Sequence, residues 1–206
     1  MNSKDIVRRG YDKISYAYRS KDGDAYSHDY VSWLVELTPL LTFESKILDL
    51  GCGCGLPVSQ SLSDENFSVT GIDISPVQIE RAKNLVPKAE FVCADMTEID
   101  FPAQGFAGIV SFYAIIHVPL SEQYDLFAKL RRWLMPKGYL MVTVGDRNWT
   151  GTEENWLGVP GATMFWSHSD SETYKLWLTK LDFEICWTRF VPEGDGGNTL
   201  ILARVP

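Results

Sequence analysis

The run Ile47-Leu48-Asp49-Leu50-Gly51-Cys52-Gly53-Cys54-Gly55 constrains the fold of this chain more than any other segment. Residues suited to a buried strand lead straight into three glycines at alternate positions, and helix-compatible sequence follows. Glycine at such a place lets the backbone take positive φ and approach a ligand closely. In open α/β sheets, ligands bind beyond the carboxyl ends of the strands, near the point where strand order reverses. The run therefore predicts both a type of sheet and a place for a ligand.

The remainder of the 206 residues keeps that rhythm. Lys46 to Leu50, Phe67 to Ile72, Ala89 to Cys93, Ala107 to Phe112 and Tyr139 to Val144 read as short apolar strands of a sheet buried on both faces. Ser75-Pro76-Val77-Gln78 reads as a capping box with Pro at the first helical position, and Ile79, Ala82 and Val86 as its buried stripe. Leu126, Phe127, Leu130, Trp133 and Leu134 form a second stripe, stopped by Pro136-Lys137-Gly138. Ser169 and Glu172 form another capping box, before Tyr174, Trp177, Leu178 and Leu181 at helical spacing. Phe183 to Phe190 and Asn198 to Arg204, joined by Pro192 to Gly197, read as a β-hairpin. Five alternating strand–helix units and a terminal antiparallel pair predict an α/β fold. It is a Rossmann-like doubly wound sheet of seven strands, with a C-terminal antiparallel hairpin and helices on both faces. Two helical segments precede the first strand. One places Val7, Tyr11, Ile14 and Tyr18 on one face, and the other runs from about Tyr26 to Leu41.

Composition excludes several classes. With 45% apolar and 22% charged residues the chain is neither disordered nor fibrous. A net charge of −8, with Arg8-Arg9 and Arg131-Arg132 as the only basic doublets, argues against a nucleic-acid partner, because phosphate neutralisation needs clustered Lys and Arg. Cys52, Cys54, Cys93 and Cys186 form no CxxC pair and read as reduced thiols. Met1 to Lys13 lacks the apolar core of a signal peptide. Phe106 to Leu120, broken by Gly108, Ser111 and His117, is too short to cross a bilayer. A soluble, cytoplasmic protein without membrane partners is expected; its oligomeric state is not legible.

A dinucleotide fingerprint would read G-x-G-x-x-G, but Leu56 stands where its third glycine would fall; a Walker loop would need a following Gly-Lys-Ser/Thr, which is missing. The second strand ends at Gly71-Ile72-Asp73, where a carboxylate can accept from both hydroxyls of a ribose, in an NAD or an adenosylmethionine site alike. The third ends at Cys93-Ala94-Asp95-Met96, where an acid can accept from an adenine amino group and Met96 can cover the ring.

In order and separation, ILDLGCGCG, GIDIS and CADM resemble the motifs of class I S-adenosylmethionine-dependent methyltransferases, most closely the ubiquinone-biosynthesis-type and small-molecule members. The resemblance runs from about Tyr11 to the last strand. It departs at Phe106-Ala107, where many members have Phe-Asp, and at Pro136-Lys137-Gly138, where many have Pro-Gly-Gly. It implies S-adenosylmethionine as cofactor and S-adenosylhomocysteine as product. The turn with Asp49, Gly51, Cys52, Gly53 and Gly55 would cradle the methionyl and ribose part, Asp73 with Ile74 the ribose, and Asp95 with Met96 the adenine. Ser111 to Pro119 resembles the segment that lines both donor and acceptor sites, which brings in Tyr113, Ala114 and His117. Tyr11-Asp12 through Tyr18 resembles an N-terminal segment whose tyrosine approaches the methionyl end.

Methyl transfer from a sulfonium is an in-line displacement, so the protein must align the partners and exclude water. A sulfonium favours aromatic faces, for which Tyr11, Tyr18 and Tyr113 are candidates. His117 and Tyr11 are the catalytic candidates. His117, with an ordinary pKa of about 6.5, suits proton removal from the acceptor, or else positions the methionyl group, or is simply a buried structural histidine. Between the fifth strand and the last helix, Trp156, Phe165, Trp166 and His168 are candidates for the acceptor pocket. No metal site is expected, since Phe112 to Pro119 holds no clustered carboxylates. The expected organisation is one methyltransferase domain over 1–206, with 1–42 as a helical lid segment and 146–168 as an acceptor-side loop. The expected function is methyl transfer to O, N or S of a small molecule. The alternatives are a catalytically inactive binding or regulatory relative and, against the glycine spacing, a nucleotide-dependent oxidoreductase.

Overall fold

Successive side chains of a strand point to opposite faces of its sheet, and the first strand, β1 (Lys46–Leu50), uses both. Ile47 enters one apolar cluster, while Leu48 and Leu50 enter another. The pattern recurs in β4 (Phe106–Ser111), with Ile109 and Val110, and in β5 (Leu134–Gly145), with Leu140, Met141 and Val142. A sheet that is apolar on both faces must be covered on both. In the computed structural model, which describes residues 2–19 and 30–206, helices supply that cover. On one face lie α5 (Leu120–Trp133) and α6 (Ser171–Lys180), with Phe127, Leu130, Trp133, Tyr174 and Leu178 in the core. On the other lie α2 (Tyr30–Leu37) and α3 (Val58–Asp64), with Trp33, Leu34, Leu37 and Leu62.

The strands run in the order β3-β2-β1-β4-β5-β9-β8, where β2 is Ser68–Asp73, β3 Glu90–Cys93, β8 Glu184–Glu193 and β9 Gly196–Arg204. The first five are parallel, and β9 and β8 are antiparallel. Strand order reverses between β1 and β4, so the crevice beyond their carboxyl ends is the expected ligand position. The seven-stranded sheet with its C-terminal hairpin follows the sequence reading. Helix α4 (Pro76–Leu85) also follows it: Ser75 caps it by accepting from Gln78 N, although the Gln78 side chain serves Ser15 rather than closing the box.

Several details differ. No helix joins β3 to β4; residues 94–105 cross as coil. Helix α5 stops at Trp133, because the chain turns extended at Leu134 and β5 begins there, three residues before Lys137 at φ 65°. Asp170, not Ser169, caps α6, accepting from Thr173 N. The hairpin turn is shorter than Pro192 to Gly197, since Glu193 already pairs with Gly196. Of the segment Tyr26 to Leu41, residues 26–29 lie outside the described residues, and α2 ends at Leu37 in a 3-10 turn, Thr38–Leu40. The segment 146–168 is not a loop. It folds into an antiparallel ribbon of β6 (Trp149–Glu153) and β7 (Met164–His168) around a 3-10 turn, Trp156–Gly158. The first helix, α1 (Ser3–Tyr18), packs Val7 and Ile14 against Ala162 and Met164 of this ribbon region. No helix among the described residues is long and apolar enough to cross a membrane.

Candidate active site

The turn after β1 is held by two backbone bonds, from Gly51 N and Cys52 N to Ile72 O at 2.8 and 2.9 Å. Gly51 (φ 82°) must be glycine on two counts: its backbone lies in the left-handed region, and a Cβ there would stand 2.1 Å from Ala114 Cβ. Gly53 (φ 54°) faces open space instead, and a Cβ there would meet nothing closer than Gln78 Nε2 at 3.9 Å. That Nε2 is buried without a hydrogen-bond partner among the described residues. Gly53 N donates to Asp73 Oδ2 and Ser75 N to Oδ1, each at 2.9 Å, which fixes the carboxylate plane and leaves lone pairs for a further donor.

Burial dominates the electrostatics. It lifts the Asp73 carboxyl to about 6, against the pull of its two backbone donors. It lifts Asp49, which accepts from the Ser59 hydroxyl at 2.5 Å, to about 7. Two carboxylates buried beside one glycine turn make a site in which a cationic ligand gains over a neutral one. Asp95 differs. Burial opposes its charge, but the Lys4 ammonium at 2.8 Å and the Thr97 backbone N–H at 2.8 Å hold its pKa below the usual carboxylate value.

Helix α1 lies across this crevice. Lys4 spends its three protons on Asp95, Glu122 at 2.5 Å and Thr97 Oγ1 at 2.5 Å. Ser75 donates to Asp12 at 2.7 Å and Ser15 to Gln78 at 2.7 Å, and Arg81 reaches the carbonyls of Ser15 and Arg19. Under the helix, spaces of about 60, 40 and 40 Å³ remain. Each holds only a few waters. Side chains of α1 or its C-cap border each space: Val7, Tyr11 and Tyr18 the first, Tyr18 and Arg19 the second, Lys4 and Val7 the third.

The carboxyl end of β4 supplies the other wall. Tyr113 adopts φ 55° and donates its N–H to Thr143 Oγ1 at 2.5 Å. Left-handed backbone at a non-glycine residue stores about 1–3 kcal/mol, and such strain collects at functional sites. His117 Nδ1 lies 2.6 Å from Phe165 O. A carbonyl only accepts, so Nδ1 carries the proton. Nε2, 3.0 Å from the Tyr11 hydroxyl, is then the acceptor, with Tyr11 donating. Burial pushes the His117 pKa down to about 4. The imidazole is therefore uncharged at neutral pH and a weaker base than an ordinary histidine. The ring is hydrogen-bonded at both nitrogens and ties α1 to β7.

Beyond this wall opens a cavity of about 830 Å³. Tyr11, Tyr18, Tyr113 and His117 border both it and the crevice. Trp156, Trp166 and His168 line it. Among the crevice candidates, Asp49, Gly51, Cys52, Gly53, Asp73, Ile74, Asp95, Met96 and Ala114 do border the narrow spaces. Gly55 and Phe165 do not. The hydrogen side of Gly55 faces Val86 and Phe91 in the core, and Phe165 packs its ring with the α1 cluster and offers only its carbonyl. Sequence reasoning misses Lys4 and the cavity residues Arg147, Trp149, Glu153, Glu193 and Asp195. Only Trp149 carries a signal, as one more aromatic in an apolar insert. Among the described residues, no group of three or more His, Cys, Asp or Glu is placed to hold a metal ion.

Residues 47–138 match the family model described as a methyltransferase domain. A sterol 24-C-methyltransferase of Gibberella zeae is 32% identical over 115 residues, covering 50% of this chain and 30% of that enzyme. The chain spans about a third of the length of the sterol methyltransferases it matches. Magnesium protoporphyrin IX methyltransferase from Synechocystis, solved with S-adenosylhomocysteine, superposes with a TM-score of 0.73 at 18% identity over 100% of both chains. The SpnF cyclase superposes with a TM-score of 0.74 at 20% identity, over 100% of this chain and 97% of that one. One scaffold thus serves a methyltransferase and a cyclase, and fold alone does not name a reaction. Residues 47–138 thus match a methyltransferase domain, and the chain as a whole has the fold of S-adenosylmethionine-dependent methyltransferases.

Proposed function

We propose that this chain transfers a methyl group from S-adenosylmethionine to O, N or S of a small-molecule acceptor. One observation carries the reading: the crevice over the strand ends and the 830 Å³ cavity share the wall of Tyr11, Tyr18, Tyr113 and His117, so that a donor and an acceptor would meet there. The residues fit the cofactor. Gly53 leaves the space that a Cβ would fill, and the Gln78 Nε2 beside it has no hydrogen-bond partner among the described residues. Asp73 would take the ribose hydroxyls, Asp95 and Met96 the adenine, and the Gly51–Gly53 backbone, with Asp49 beneath, the methionyl part. When bound, the cofactor supplies a methyl group already activated on a sulfonium.

The chain's own work is then alignment and exclusion of water. Tyr11, Tyr18 and Tyr113 present aromatic faces, which attract a cation. The Tyr11–His117 bond fixes the Tyr11 ring at the shared wall, and His117 in turn is held by Phe165 O. Helix α1 is the lid, and the β6–β7 ribbon covers the acceptor side. The net charge of −8 supports a partner other than nucleic acid, and four unpaired cysteines suit the cytoplasm. No feature of the site favours a regulator that has lost catalysis. The test is a turnover screen that measures S-adenosylhomocysteine release from purified protein, S-adenosylmethionine and a panel of phenols, amines and thiols. Release above the acceptor-free rate with one panel class supports the reading. Binding of the cofactor with no release for any class would favour the regulator.

A further inference from the structure

The wall composition of the cavity narrows the acceptor. We infer that it takes a cationic amine attached to a flat apolar body. The inference rests on the methyl-transfer reading of the adjoining crevice. Six aromatic rings among the described residues line the space: Tyr11, Tyr18, Tyr113, Trp149, Trp156 and Trp166. All but Tyr113 brace one another, and Tyr113 is braced by Tyr30 and Trp33. Trp156 meets Trp166 edge-on at 5.3 Å, Trp149 meets Trp166 at 5.6 Å, and Tyr11 and Tyr18 each stand 5.9 Å from Trp156. A volume of about 830 Å³ is that of a site for a drug-sized ligand, well beyond a simple alkylamine.

Among the described residues of the lining, Glu153, Glu193 and Asp195 are acidic and Arg147 is the one basic group. Arg147 lies along the β8–β9 turn, 3.4 Å from where a Cβ of Gly196 would stand, on the same turn that carries Glu193 and Asp195. The Glu193 charge is felt inside: it raises the pKa of Tyr11, Tyr18 and Tyr113, although burial is the larger cause for each. Aromatic faces and the exposed carboxylates of Glu153 and Asp195 attract an ammonium and repel a carboxylate. Both lining histidines bond to backbone carbonyls through Nδ1. An ammonium acceptor sheds one proton, to water at the open mouth. Its nitrogen lone pair then forms the N–C bond as the donor C–S bond breaks with both electrons left on sulfur.

The experiment compares three probes of one shape: naphthylmethylamine, naphthylmethanol and naphthoate. Binding to the full chain is read by calorimetry and by quenching of tryptophan fluorescence, with S-adenosylhomocysteine titrated in parallel. The amine is expected to bind about tenfold tighter than the alcohol, and naphthoate weakest. The amine's advantage should shrink as salt rises, since the carboxylates are exposed. The double variant Glu153→Gln/Asp195→Asn should lose most of that advantage while binding the alcohol as before, with near-UV circular dichroism confirming the fold. Equal binding of amine and alcohol, or naphthoate as the tightest probe, overturns the inference even if S-adenosylhomocysteine binds. Failure of S-adenosylhomocysteine to bind removes the methyl-transfer reading instead.

Discussion

Two glycines of one turn separate folding from ligand binding. At Gly53 the backbone sits at φ 54° and a Cβ would reach nothing within 3.9 Å. Alanine in left-handed backbone costs about 1–2 kcal/mol, of which about 0.4–1 kcal/mol is recovered because the unfolded chain loses freedom. A domain of this size loses roughly 2–4 °C of Tm per kcal/mol. Gly53→Ala should therefore melt within about 6 °C of wild type. Its new methyl group, however, projects into the space assigned to the cofactor. S-adenosylhomocysteine should bind at least tenfold more weakly. At Gly51 the same change meets φ 82° and a contact of 2.1 Å with Ala114 Cβ. Strain of about 1–3 kcal/mol and overpacking of about 1–3 kcal/mol add, so Tm should fall by roughly 10 °C. Thermal unfolding followed by circular dichroism, with calorimetry on the folded proteins, reads both. Gly53→Ala that binds S-adenosylhomocysteine like wild type would refute the assignment of that space. Gly51→Ala that melts like wild type would refute the packing argument.

Burial lifts Asp49 from 3.8 to about 7, so between those values the folded chain keeps a proton that the unfolded chain has lost, and stability falls as pH rises. Asp49→Asn should raise Tm by several degrees at pH 8 and leave it nearly unchanged near pH 4. His117 has the opposite sign: burial lowers it from 6.5 to about 4, so its contribution is intact above about 6.5 and is lost as pH falls towards 4, about 3 kcal/mol in all. His117→Gln should flatten that acid-side loss in melts between pH 4 and 7. Lys4→Met removes the ammonium that Asp95, Glu122 and Thr97 share. Stopped-flow fluorescence should show faster S-adenosylhomocysteine association, and an unchanged rate would mean that α1 does not gate the crevice.

What is legible in the sequence is local. Each strand end carries its own turn chemistry within a few residues, so Gly51, Gly53, Asp73 and Asp95 can be placed from the order of residues alone, and Ser75 announces α4 through its cap. What stays hidden depends on partners far apart in the chain. Lys4 meets Asp95 and Tyr11 meets His117 only because α1 folds back over the sheet. The β6–β7 ribbon is hard to read because its strands pair only with each other across a ten-residue insert, 154–163, and Gly151 breaks the apolar alternation of the first. Glu193 and Asp195 read as ordinary turn residues until the hairpin brings them to the cavity. The low pKa of His117 is illegible for the same reason: its burial comes from Tyr11, Trp156 and Trp166, on other elements.

Calorimetric titration of S-adenosylhomocysteine into the wild-type chain and into Asp73→Asn, with NAD as the comparison ligand, addresses the cofactor assignment at its root. One site per wild-type chain is expected, with affinity about 10–100-fold lower in Asp73→Asn because hydrogen bonds to a charged acceptor weaken, and no heat from NAD. Equal affinity in the variant, or saturable binding of NAD with none of S-adenosylhomocysteine, would contradict the assignment.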